Sequence, residues 1–151
     1  MIENERQYRI SKAWVEKFAQ SAQQMAGRGA AADPLIQAAM AAQYQSQIEE
    51  LQHDLADYDA LRGGQVTTLD VESLTALPEA LIRARIAAGL TQKELAVRLG
   101  LKEQQVQRYE STRYSGVSLE RTQAIVDALG VRIREHLTLP TAEKASSLPC
   151  K

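Results

Sequence analysis

The run Thr91-Gln92-Lys93-Glu94-Leu95-Ala96-Val97-Arg98-Leu99-Gly100-Leu101-Lys102-Glu103-Gln104-Gln105-Val106-Gln107-Arg108-Tyr109-Glu110 decides the fold of this chain. Thr91 with Glu94 three residues on is a Thr-x-x-Glu capping box, which starts a helix. Leu95, Ala96 and Leu99 then fall on one face of it by the three-and-four spacing. Gly100 suits the left-handed backbone that ends a helix and opens a turn. Leu101 is an apolar anchor in that turn. Val106 and Tyr109 form the inward face of a second helix, and the small Ala96 lets the two helices approach closely near Val106. Those seven positions, 95, 96, 99, 100, 101, 106 and 109, are the expected core of the pair.

Glu103, Gln104, Gln107 and Arg108 are left pointing outward. A polar helix face by itself is a solvated surface. Here the cap, the small residue, the turn glycine and the apolar anchor all sit at compatible spacings, and agreement across levels favours a shaped site. Two short helices joined by a tight turn, with a polar face on the second, present side chains to the DNA major groove. Gln and Arg suit bidentate contacts with adenine and guanine edges.

The segment resembles the Xre/Cro-like helix-turn-helix regulators of bacteria and phages, from about Leu77 to Leu137. Pro78 to Ala88 looks like the first helix of that domain, with Gly89 at its end. Leu90-Thr91-Gln92 and Glu94-Leu95-Ala96 match the usual start of the second, and Arg108-Tyr109-Glu110 the usual end of the third. Ser118 is placed to cap a fourth helix through Leu129, closed by Gly130-Val131. The resemblance implies an all-α domain of four to five helices with double-stranded DNA as partner. It implies base contacts from Lys102, Glu103, Gln104, Gln107 and Arg108. Phosphate contacts would come from Gln92 and Lys93, and from Ser111, Arg113 and Tyr114 in the following loop. One position departs from the family, which has Ser or Thr where this chain has Lys102. Lysine accepts no amide hydrogen bond, and its charge opposes the positive helix end. Two consequences are open: a looser helix start, or a Lys102 that reaches a phosphate. Glu103 would be repelled by phosphates unless it accepts from a cytosine amino group.

The 151 residues suffice for one core or two small ones. Alanine is abundant in the first half, which favours helices. No apolar run is long enough for a membrane span, and the charged opening Met1-Ile2-Glu3-Asn4-Glu5-Arg6 is no signal peptide. The single Cys150 permits no intrachain disulfide, and a cytoplasmic location fits. The net charge of −1 hides an asymmetry. Residues 1–76 carry 6 basic and 11 acidic side chains, net −5, whereas residues 77–138 carry 10 and 7, net +3. Positive charge gathers where DNA is expected, though modestly, so affinity calls for a dimer or well-placed contacts.

The first half predicts a helical hairpin over residues 1–62. Ser11 is read as the cap of its first helix, stapled by Ile10 onto Val15, with Trp14, Phe18, Ala22 and Met25 as ordinary core. Asp33-Pro34 starts the second helix, which runs to about Leu61 and stops at Gly63-Gly64. Ala41, Tyr44, Ile48, Leu51, Leu55 and Tyr58 form a heptad seam on it. The first helix spans roughly 22 Å and the second roughly 42 Å, so the last dozen residues of the second are left without a partner. A second subunit is the first choice to cover Ile48, Leu51, Leu55 and Tyr58, making them the dimerisation residues; the chain's own DNA-binding domain is the second. Residues 63–76 are the linker, with Val66-Thr67-Thr68 briefly extended. Residues 77–138 are the DNA-binding domain, self-contained from about Val66, and 139–151 a flexible tail.

His53 and His136 are isolated, with no metal-ligand spacing, and no phosphate loop or nucleophile elbow appears. The expected function is a dimeric, sequence-specific DNA-binding regulator, a repressor without cofactor or enzymatic activity. The alternative is the antitoxin of a toxin–antitoxin pair, with the hairpin holding a toxin protein.

Overall fold

The structure is a computed structural model that describes residues 1–27, 33–134, 136 and 138–139. Among these, every regular element is a helix: α1 (Glu5–Gly27), α2 (Pro34–Arg62), α3 (Leu77–Ala87), α4 (Gln92–Leu99), α5 (Glu103–Ser111) and α6 (Leu119–Leu129). The chain is all-α, as the periodicities imply. The tail expected over 139–151 lies outside the described residues beyond Leu139.

The long α2 starts where its sequence says. Asp33 Oδ1 accepts from the Leu35 amide at 2.9 Å and Pro34 occupies the first turn. It ends at Gly63, and Gly64 turns the chain with φ +69°. The shorter helix departs from expectation. α1 begins at Glu5, and Ser11 lies inside it. The cap is Asn4, whose Oδ1 accepts from the Gln7 amide at 2.9 Å, while the Gln7 side chain reaches back to the Glu3 amide at 2.8 Å. Asn4-x-x-Gln7 is itself a capping signature. It lies seven residues upstream of the weaker Ser11 signal and adds nearly two turns to the helix.

That added length changes the hairpin. α1 and α2 run antiparallel: Glu5 pairs with Arg62 at 3.2 Å, Tyr8 packs on Tyr58 with ring centroids 5.1 Å apart, and Phe18 packs on Tyr44 at 5.9 Å. The end of α2 expected to stand free is therefore covered within the chain. Ile48 and Tyr58 are buried, and Leu55 packs against the main core. Leu51 is half-buried. The premise for assigning these four residues to a second subunit came from starting α1 too late.

The rest of the cover is the chain's own reader. One buried cluster joins Ile2, Tyr58 and Leu61 of the N-terminal region to Leu81, Ile82 and Ile86 of α3, Leu95 and Ala96 of α4, Val106 of α5, and Ile125, Val126 and Leu129 of α6. Arg83 of α3 clamps Asp57 of α2 through two hydrogen bonds of 2.6 and 2.8 Å. The segment 63–76 contains no strand, and Val66 leans on the same core. The DNA-binding domain is thus not self-contained from Val66, because a fully buried Leu61 and a buried Ile2 complete it.

Candidate nucleic-acid interface

α4 and α5 make the helix pair read from the sequence, with each local device in place. Thr91 Oγ1 accepts from the Glu94 amide at 3.1 Å, and Glu94 Oε2 accepts from the Thr91 amide at 2.7 Å. The Thr91 amide, and then the Thr91 hydroxyl donating to the same oxygen at 2.8 Å, hold the Glu94 carboxyl below its ordinary pKa. Gly100 adopts the left-handed conformation at φ +65°. The Leu101 amide then returns to the Ala96 carbonyl at 2.8 Å, closing the turn. Leu95, Ala96 and Val106 are buried, and Leu99, Leu101 and Tyr109 pack on the cluster they form. A later helix repeats the pattern: Ser118 Oγ accepts from the Arg121 amide at 3.2 Å, and Gly130 ends α6 in the left-handed region.

The start of α5 resolves the Lys102 anomaly. The lysine side chain makes no capping bond, but the Gln105 side-chain oxygen accepts from the Lys102 amide at 3.1 Å. The helix start is held by the reciprocal half of a capping box, which leaves the Lys102 ammonium free. Gln105 was not among the expected site residues; its place three residues after the cap was the signal.

Lys102 at the cap and Glu103, Gln104, Gln107 and Arg108 on α5 are all exposed, Gln104 and Arg108 on the side opposite the buried Val106. Glu103 accepts from the Gln107 amide group at 3.1 Å, so these two side chains hold one another. That bond engages the glutamate and directs Gln107 along the helix. Gln104 and Arg108 make no side-chain bond to the described residues. They present the donors and acceptors that major-groove edges require.

The expected phosphate-binding residues divide. Lys93 and Ser111 are exposed. Gln92 is half-buried and its side chain donates to Glu110 Oε2 at 2.8 Å, which leaves its backbone amide at the N-terminus of α4 as the group able to meet an anion. Arg113 is exposed but paired with Glu3 at 2.5 Å. Tyr114 departs furthest from expectation. It is only 7% exposed, packs on the Tyr109 ring at 6.3 Å, and its buried hydroxyl has no partner among the described residues. Burial, then the Glu110 charge, push that hydroxyl above its ordinary pKa. Tyr114 is a core residue; the left-handed backbone at both Arg113 and Tyr114, φ +50° and +56°, turns its ring inward.

Beneath the surface lies an ion pair that the sequence reading left out. Arg85 and Glu110 are both buried and joined through Nε–Oε1 at 2.5 Å and Nη2–Oε2 at 2.8 Å. Arg85 also donates to the Leu90 and Glu3 carbonyls, each at 2.8 Å. With Gln92, this network ties α3, α4, α5 and the N-terminal segment together. It fixes the end of α5, and so the direction in which its outer face points. A single sequence gives no spacing rule for a pair separated by 25 residues.

A capped helix, a left-handed turn and a second helix with an exposed polar face define a helix-turn-helix DNA-binding protein. Residues 81–136 match the family model described as Helix-turn-helix. The matched segment is an Xre/Cro-like helix-turn-helix domain, of the kind that DNA-binding transcriptional regulators carry. No curated protein and no solved structure matches the chain. Among the described residues no helix is long and apolar enough to cross a membrane.

Proposed function

We propose that the chain is a sequence-specific repressor that binds a two-fold operator as a dimer, reading bases with α5. The observation that carries this is the outer face of α5. Gln104 and Arg108 stand exposed and unengaged on a helix whose inner face, cap and far end are each fixed by buried or hydrogen-bonded groups. Such a face costs little reorganisation on binding. Lys102 lies at its N-terminal edge, where phosphates flank the groove. The net charge of +3 over residues 77–138 supplies modest steering. One reader covers a short half-site, so two joined readers account for useful affinity, with half-site centres about 34 Å apart or a multiple of that.

A binding titration combined with random-library selection tests the reading. Gln104→Ala and Arg108→Ala should each cost about 1–3 kcal/mol on the selected site and relax preference at one or two base pairs. Lys93→Ala should weaken all sequences alike, since a phosphate contact carries no base information. An unchanged selected motif in both of the first two variants would remove α5 as the reading helix.

A further inference from the structure

The hairpin's far half is unlike the rest of the chain. Between Ile2 and Ile48 no described residue is buried. On α1, Ile10, Trp14 and Phe18 recur at steps of four; on α2, Ile36, Met40 and Tyr44 do the same. The two rows meet where Phe18 packs on Tyr44 at 5.9 Å, and Trp14 packs on Phe18 at 5.3 Å. The result is one apolar stripe running obliquely across both helices. Much of it faces water: Trp14 is 42% exposed, Met40 41% and Ile36 56%. Isolated apolar residues on a surface need no explanation, but a contiguous stripe of this kind does.

Charge identifies the occupant. Residues 34–48 contain no Asp, Glu, Lys, Arg or His, in a chain where 25% of residues are charged. A two-fold contact sets a patch against itself, so a charged patch repels its own copy and a neutral one does not. A surface evolved for a different protein would gain on-rate and specificity from charges matched to that partner, and this face has none on α2. The steps of four are also the ridges that interdigitate when helices cross at about −50°, and a second copy supplies the same ridge. Lys17 lies over the Trp14 ring, 4.7 Å from its centroid, at the α1 edge of the stripe, where an interface has its polar rim. The face is roughly 20 Å on a side, two helices wide, enough for the apolar centre of a standard interface of about 800 Å² per partner.

We infer that this far-half stripe, centred on Phe18 and Tyr44, is where a second copy of the chain docks, forming a four-helix contact remote from the DNA-reading helices. The inference rests on the two-fold operator reading and gives it a geometry. The near half of each hairpin is locked to its reader through Leu61 and the Asp57–Arg83 clamp. The contact at the far half therefore sets the separation of the two α5 helices.

Trp14 is the sole tryptophan, so its emission reports the contact directly. Sedimentation of the full chain over a dilution series, with emission and an operator titration on the same samples, tests the inference. The expected result is a dimer that dissociates on dilution while Trp14 emission shifts to the red. Ile36→Glu with Met40→Glu should raise the dimer dissociation constant on the order of a hundredfold and leave the helical signal intact. A chain that is monomeric throughout overturns the inference. So does a dimer indifferent to the double substitution whose Trp14 emission never moves, or a monomer that captures the product of a neighbouring gene on this stripe. Loss of operator preference in an otherwise intact, dilution-sensitive dimer would instead strike the DNA reading and leave the contact standing.

Discussion

The near end of the hairpin shares the reader's core, and the far end does not. At the near end, Tyr58 and Leu61 sit in the same core as Leu81 and Val106, and Asp57 is clamped by Arg83. At the far end the same two helices bury nothing completely and carry Trp14, Ile36 and Met40 into solvent. Yet α2 is one uninterrupted helix of 29 residues. It is a rigid rod rooted in the DNA-binding domain, with its apolar tip held about 40 Å from its root. The root contributes to folding, and the tip is left for another molecule. A helix stiff over that length transmits the position of its tip to the recognition helix, which a flexible linker would not.

The largest test of the comparison removes the root. A fragment beginning at Val66 retains every cap and turn of α3 to α6 but loses Ile2, Tyr58 and Leu61 from the core and the Glu3 carbonyl from Arg85. Burying an aliphatic or aromatic side chain contributes roughly 1.5–3 kcal/mol, and a small domain holds only about 5–15 kcal/mol in all. The fragment should be largely unfolded by circular dichroism and amide exchange. A well-folded fragment would mean the near end is docked on a reader that does not need it.

Single substitutions compare the two ends at finer grain. Leu61→Ala, at a site with no exposure, should cost about 2–5 kcal/mol in urea unfolding. Met40→Ala should change stability by no more than about 0.5 kcal/mol at protein concentrations low enough to keep the chain monomeric. Equal costs at the two sites would erase the distinction between root and tip.

Legibility followed the range of the physical signal. Most of what neighbours in sequence set was readable: the Thr91–Glu94 box, the left-handed Gly100, the Asp33-Pro34 start, and the Ser118 and Gly130 ends of α6. So was the outward row Glu103, Gln104, Gln107 and Arg108, because a helix carries its own periodicity. The start of α1 was missed although Asn4-x-x-Gln7 was present, since the Ile10-Ser11 pair offered a competing local signal. That error of seven residues made the proximal seam of α2 look unpartnered. The Arg85–Glu110 pair and the inward turn of Tyr114 were not legible, because both depend on contacts or backbone twists that no local spacing encodes.

The smallest expected effect asks whether the reader end is as well satisfied as its burial suggests. Tyr114 brings its hydroxyl into the core without a hydrogen-bond partner among the described residues. A buried polar group left unpaired costs about 1–3 kcal/mol, and Phe has the same ring without that group. Tyr114→Phe should therefore raise stability by about 1 kcal/mol, read from the urea midpoint at constant slope. The ring contact with Tyr109 is kept, and the left-handed backbone at this position costs the same with either side chain. Operator affinity should not move, because the hydroxyl is inside the protein. A matched fall in affinity with unchanged stability would return Tyr114 to the phosphate-binding loop where the family resemblance first placed it. A loss of stability instead would show that the hydroxyl finds a partner in solution, and that this end of the molecule owes part of its rigidity to it.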